Sequence, residues 1–226
     1  MKLYFLTLLL VAILHISLGA QTEEVLVQYY FSTDDFLQDN LSAETVRLQV
    51  KSMGSDFIYV RDIVDIITGK HSANGWKAWA IEHEGNAYQH LTYSYNSKAP
   101  GVFIRIDIKG RFCLAIMDEG SEDSMKSVPG YYGGGMINSA AIAIAESASK
   151  GVGKFLDKEG NSKLIFIIDT KDLSIVLPYK AKNAPAEVLT KSTLKWLVGK
   201  EYWKGSVSDY TVEEVKAIVE DLNERQ

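Results

Sequence analysis

The chain has 226 residues, 46% of them hydrophobic, with a formal net charge of −5 and one cysteine, Cys113. That length suits one domain and can bury a sizeable core without covalent staples, and a lone cysteine excludes an intramolecular disulfide. An acidic chain with no basic block lacks the phosphate-neutralising charge behind nucleic-acid binding and the polybasic segment that draws proteins to anionic lipid.

Residues 1–20 have the layout of a secretory signal peptide. Lys2 gives a basic start, Leu3 to Leu14 is an apolar run, and Ser17-Leu18-Gly19-Ala20 is a small-residue cleavage region. The run is too short to serve well as a bilayer-spanning anchor. The expected product is one secreted α+β domain, residues 21–226, at a net charge of −6 once Lys2 is gone. No later stretch is apolar enough to span a membrane as a helix. Asn40-Leu41-Ser42 is a glycosylation sequon.

Val25 to Phe31 reads as a strand, being rich in β-branched and aromatic types. Ser42 stands where an N-cap would, with Leu41 and Val46 as its staple, and Val46, Val50 and Met53 recur at helical spacing up to Gly54. Val60, Ile63, Val64 and Ile67 repeat that spacing as far as Gly69, although Phe57 to Val60 would also suit a strand. A four-strand β-meander is predicted next. Trp76 to Glu84 and Ala87 to Asn96 flank a Gly85-Asn86 turn, Val102 to Lys109 alternates cleanly, and Phe112 to Met117 follows Gly110.

Gly133-Gly134-Gly135 leads into an Ala-rich helix predicted from Met136 to Leu156. Leu164 to Asp169 and Leu173 to Leu177 form a C-terminal hairpin. Pro185 opens a helix carrying Val188, Leu189, Trp196 and Leu197 and ending at Gly199. The last helix has a capping box, Thr211 with Glu214, and a staple of Tyr210 and Val215. Grouped strands and helices indicate an α+β fold. The expected form is an antiparallel sheet, from the meander and the C-terminal hairpin, packed against the Ala-rich helix and two terminal helices.

Four constellations bear on chemistry. A Gly85-Asn86 turn would oppose Glu84 to Ala87, His83 to Tyr88 and Ile81 to His90, which places His83, Tyr88 and His90 on one face as a candidate binding cluster. Gly133, Gly134 and Gly135 before a helix would offer backbone N–H groups to an anion, although neither a P-loop nor a dinucleotide fingerprint surrounds them. Asp118 to Asp123 is acidic but lacks EF-hand spacing. Glu146 is a candidate catalytic acid on the Ala-rich helix, with Lys150 four residues on and no Arg three residues on.

No nucleophile–base set or metal-ligand spacing stands out, so neither cofactor nor metal is expected. The expected role is that of a secreted, non-catalytic extracellular module binding a small molecule, glycan or protein, with no nucleic-acid partner. The competing role is an exported toxin-like or hydrolytic enzyme using Glu146 or the His83/His90 pair.

Overall fold

The structure is a computed structural model that describes residues 24–90, 101–118, 155–171, 187–189, 191–200, 202–206 and 209–225. The leader, the glycine run, Glu146 and the hairpin residues 173–177 lie outside the described residues, as does the Ala-rich helix up to residue 154.

The described residues are mostly β. Strands β1 (Glu24–Tyr30), β2 (Val46–Met53), β3 (Phe57–Asp65), β4 (Ala80–His83), β5 (Asn86–His90) and β6 (Gly101–Arg105) close into an antiparallel barrel in the order β1-β2-β3-β6-β5-β4. A second sheet has the order β10-β9-β7, from β7 (Phe112–Asp118), β9 (Ser162–Asp169) and β10 (Glu187–Val188), with the short β8 (Phe155–Leu156) also paired to β9. Two short helices, α1 (Thr33–Leu37) and α2 (Ala73–Lys77), interrupt the barrel, and α3 (Lys191–Val198) and α4 (Val212–Glu224) follow the second sheet.

The barrel lumen is solid. Tyr29, Leu48, Ile58, Ile63, Ile81 and Phe103 are fully buried there, among Val25, Val27, Val46, Val50, Val60, Ala78 and Tyr88. An eight-strand barrel is just wide enough to be filled by side chains or to hold one small ligand, and this narrower six-strand barrel is filled by the side chains named. Each buried aliphatic or aromatic side chain contributes roughly 1.5–3 kcal/mol.

The second sheet lies between the barrel and the helices. Ala115, Met117, Leu164 and Phe166 pack on Phe57, Tyr59, Val102 and Ile104 of the barrel's outer wall. Cys113 and Ile168 meet Tyr30, Phe36, Trp79 and Ala80. The opposite face, with Phe112, Leu114, Ile165 and Ile167, carries Leu194, Leu197 and Val198 of α3 and Val212, Val215 and Val219 of α4. Cys113 is thus a core residue, and burial pushes its thiol up to about 11.

The outer edge of β7 is closed by side chains and by one loop. The Phe112 N–H donates to Asn223 Oδ1 (2.9 Å), Leu114 to the Ile108 carbonyl (3.0 Å), Ile116 to Asp107 Oδ2 (2.9 Å) and Asp118 to Asp56 Oδ2 (2.8 Å). Asn223 Nδ2 also donates to the Phe112 carbonyl (2.9 Å). Gly110 makes room for this amide: a Cβ there would lie 2.4 Å from Asn223 Nδ2.

Several expected elements take another form. The helices predicted around Val46–Met53 and Val60–Ile67 are strands β2 and β3. Ser42 Oγ accepts the Glu44 N–H (3.0 Å) in a local turn rather than capping a helix. The meander stops after β6, because β7 leaves the barrel to pair with β9 and keeps only the Ile108–Leu114 bridge. Phe155 and Leu156, expected at the end of the Ala-rich helix, form β8 against β9. Val188 lies in β10 opposite Phe166, and the helix begins only at Lys191. The C-terminal helix matches its expectation: Thr211 and Glu214 form a capping box, and Tyr210 and Val215 are buried together.

Candidate functional site

The β4–β5 hairpin turns one residue earlier than its sequence suggests. Glu84 and Gly85, at φ of 50° and 77°, form the loop, so Glu82 opposes Ala87, His83 opposes Asn86 and Ile81 opposes Tyr88. Glu82 Oε1 accepts the Gly85 N–H (2.6 Å) and locks this register. A shift of two positions in the pairing preserves which face each residue occupies. That face is the barrel's interior. Tyr88 joins the lumen core, and burial raises its phenol above the usual range. His83 stands at the hairpin mouth, its Nε2 4.0 Å from Glu84 Oε1. His90 lies four residues from Asn86, the partner of His83, which is about 13 Å along the strand. The structure therefore separates the histidine pair to opposite ends of the hairpin. Asp118, at the edge of the acidic loop, is a β7 residue whose carboxylate meets Lys163, and Lys163 also reaches Asp157 at 3.3 Å.

His90 leads to a different cluster. Its ring stacks on Phe103 (centroids 4.6 Å apart, 15° between planes) and meets Trp76 at 5.9 Å. Gly101 lets the three rings converge. A Cβ there would fall 2.7 Å from His90 Nε2 and 2.8 Å from Trp76 Cζ3. Buried in this setting, the imidazole is pushed down to about 4 and is neutral in the folded state near pH 7.

Trp76 comes from α2, which lies at this end of the barrel. Ser72 caps the helix by accepting the Gly75 N–H (3.1 Å), and Gly75 packs so closely on Ile63 that a Cβ would sit 2.5 Å from its Cγ2. The preceding turn positions His71. Asp65 Oδ1 accepts from the Thr68 N–H (2.6 Å) and hydroxyl (2.7 Å), and Gly69 takes a φ of 65°. The chain reverses, His71 bridges to Val64, and the Ser72 N–H donates to the Ile63 carbonyl (2.8 Å). Asp62 is two residues before Val64 and points to the same side of β3.

Asp62 joins these parts. Its Oδ1 accepts from the Ile63 N–H (2.8 Å), faces His71 Nδ1 (2.7 Å) and accepts from Trp76 Nε1 (3.0 Å). Partial burial opposes ionisation of this carboxyl, but the bonds from Trp76, His71 and Ile63 outweigh it and hold its pKa below the usual range. The His71 ring lies nearly parallel to Trp76, at 6.0 Å and 22°. Side chains of Asp62 and His71 are 33% and 50% exposed. The His71 tautomer that donates from Nδ1 to Asp62 leaves Nε2 as an acceptor. Asp62 Oδ2 and His71 Nε2 make no hydrogen bond among the described residues.

This end of the barrel thus presents an oriented imidazole on an indole, with Asp62 Oδ2 and His71 Nε2 open beside it among the described residues. No group of three or more His, Cys, Asp or Glu side chains among the described residues is placed to hold a metal ion. No described helix is long and apolar enough to cross a membrane. Asp62 and His71 are absent from the sequence-derived candidates because Val60 to Ile67 reads there as a helix, whereas Trp76 begins the aromatic stretch to Tyr95 that the sequence offers as either contact surface or core. The turn residues Asp65, Thr68 and Gly69 were the available signal, since a reversal there sets His71 beside Val64. No protein-family model, no curated protein and no solved structure matches this chain.

Proposed function

We propose that the chain is a secreted, non-catalytic binding module for a small molecule, glycan or protein, and that it engages its ligand at the Asp62–His71–Trp76 end of the barrel. The leader-like first twenty residues support the compartment. A filled lumen supports binding on the rim rather than inside. The observation that carries the reading is the pair of open acceptors, Asp62 Oδ2 and His71 Nε2, on side chains already held by three hydrogen bonds and a ring stack. Such prior ordering lowers the entropic cost of binding.

The test is retention of the processed, secreted protein on arrays of glycans, peptides and metabolites, beside His71→Ala and Asp62→Ala. Loss of one shared ligand in both variants, at near-wild-type thermal stability in at least His71→Ala, supports the reading. Ligands retained equally by all three proteins overturn it.

The dyad also favours a second reading. An Asp that fixes an imidazole through Nδ1 leaves Nε2 placed to take a proton, as in hydrolytic sites. Turnover of ester or glycoside substrates that disappears in His71→Ala would replace the binding module with an enzyme.

A further inference from the structure

We infer that the ligand of the barrel end is a neutral sugar, held through a pair of neighbouring hydroxyl groups. This rests on the reading of that end as the binding surface and adds the chemistry of what it takes.

Three observations converge. First, with His71 in the neutral tautomer that donates from Nδ1, the open polar atoms are both acceptors, a carboxylate oxygen and an imidazole nitrogen, joined through a 2.7 Å contact on their other sides. They call for a ligand with two donors close together, which adjacent hydroxyls supply. A hydroxyl donating to an ionised carboxylate makes a strong bond.

Second, the face around the pair carries charges of both signs. Arg47 lies opposite Val64, the residue that His71 bridges, and so shares the face of Asp62, while Asp65 is engaged within its own turn. A face of mixed sign does not favour an ionic ligand of one sign, and Lys70, next to His71 in the chain, is exposed. Third, the platform is flat and partly apolar. His71 is half-exposed and stacked on Trp76, and Ile67, 94% exposed, stands at the tip of the adjoining turn. A sugar ring has one apolar C–H face and a polar rim, which suits an aromatic plane edged by acceptors.

Trp76 provides a local reporter, because its indole N–H donates to Asp62. The chain has four tryptophans, so four indole N–H resonances would appear in a 15N-correlated NMR spectrum, assigned with Trp→Phe variants. The full processed protein is titrated with the methyl glycosides of glucose, galactose and mannose, and with deoxy analogues lacking one hydroxyl of each adjacent pair.

At least one parent glycoside is expected to shift the Trp76 indole resonance saturably. Its deoxy analogue should bind at least about tenfold more weakly, because an acceptor covered by the bound sugar is then left unmatched. His71→Phe, which keeps a ring but removes Nε2, should show the same loss. Asp62→Asn should weaken binding while keeping an oxygen for Trp76.

The sugar assignment falls if no glycoside moves the Trp76 resonance, or if deoxy analogues bind as tightly as their parents. If peptides shift Trp76 and sugars do not, the surface stands and the ligand class is wrong. If a sugar shifts only Trp196 or Trp203, both the ligand class at this site and the site itself are wrong.

Discussion

Gly101→Ala isolates the packing that holds the barrel end together. The added methyl carbon would lie 2.7 Å from His90 Nε2 and 2.8 Å from Trp76 Cζ3, where ordinary contact begins near 3.4 Å. One or both rings must retreat by more than half an ångström. Neither is free to do so: Phe103 backs His90 at 4.6 Å, and the Asp62 bond restrains Trp76. Overpacking of this kind costs about 1–3 kcal/mol. The assay is urea unfolding followed by tryptophan fluorescence, with a lower midpoint expected at an unchanged slope. A double-mutant cycle with His90→Ala assigns the cause. The smaller side chain should absorb the new methyl, so the combined loss should fall short of the sum by about 1 kcal/mol or more. A Gly101→Ala loss below about 0.5 kcal/mol, or strict additivity with His90→Ala, would refute the convergence of rings on this glycine.

Acid should destabilise the fold through His90. The buried ring stays neutral down to about 4, whereas an unfolded histidine takes its proton near 6.5. Between those values the unfolded chain binds more protons, so stability falls as pH drops through that window, by roughly 3 kcal/mol in all. Asp62, with its lowered pKa, pushes the same way at lower pH as its carboxylate is protonated. His90→Phe should flatten the 4–6.5 segment of a stability-against-pH curve and leave the more acidic limb; an unchanged curve would contradict the buried, neutral ring. Asn223→Ala removes both bonds that bracket Phe112, so a loss of about 1–3 kcal/mol is expected in urea unfolding, with faster hydrogen exchange at the Phe112 amide. Unchanged exchange there would mean that the amide is protected by another route.

The sequence was most readable where one face of an element meets the core and the other meets water. The C-terminal helix shows this, with its capping box and its Val215–Val219 stripe. Cys113, inside an apolar run, proved buried. Misreading concentrated where both faces are covered. Phe57 to Val60 are all buried because the second sheet lies on the barrel's outer wall, so β3 shows no alternation. In β2, Val46, Leu48 and Val50 do alternate, but a bulge at Gln49–Val50 interrupts the register, and Val46, Val50 and Met53 also fit a helix. The hairpin register failed on one residue: Glu84, not a residue type favoured at positive φ, takes the left-handed conformation beside Gly85. The site was legible only in part. His90 was named, but its meaning depends on Asp62, His71 and Trp76, which the β3 reversal and α2 bring to it.

The closure of β7 has a consequence for how the molecule behaves in company. An exposed strand border is a template on which another chain can add a strand, and that is how many sheets begin to aggregate. Here the donors along that border are occupied from three separate parts of the polypeptide: Asp56 before β3, the Asp107–Ile108 segment after β6, and Asn223 near the chain's end. Trimming the last few residues would therefore do more than shorten a helix. It would uncover the start of β7 and turn a sealed flank into a seed for recruitment.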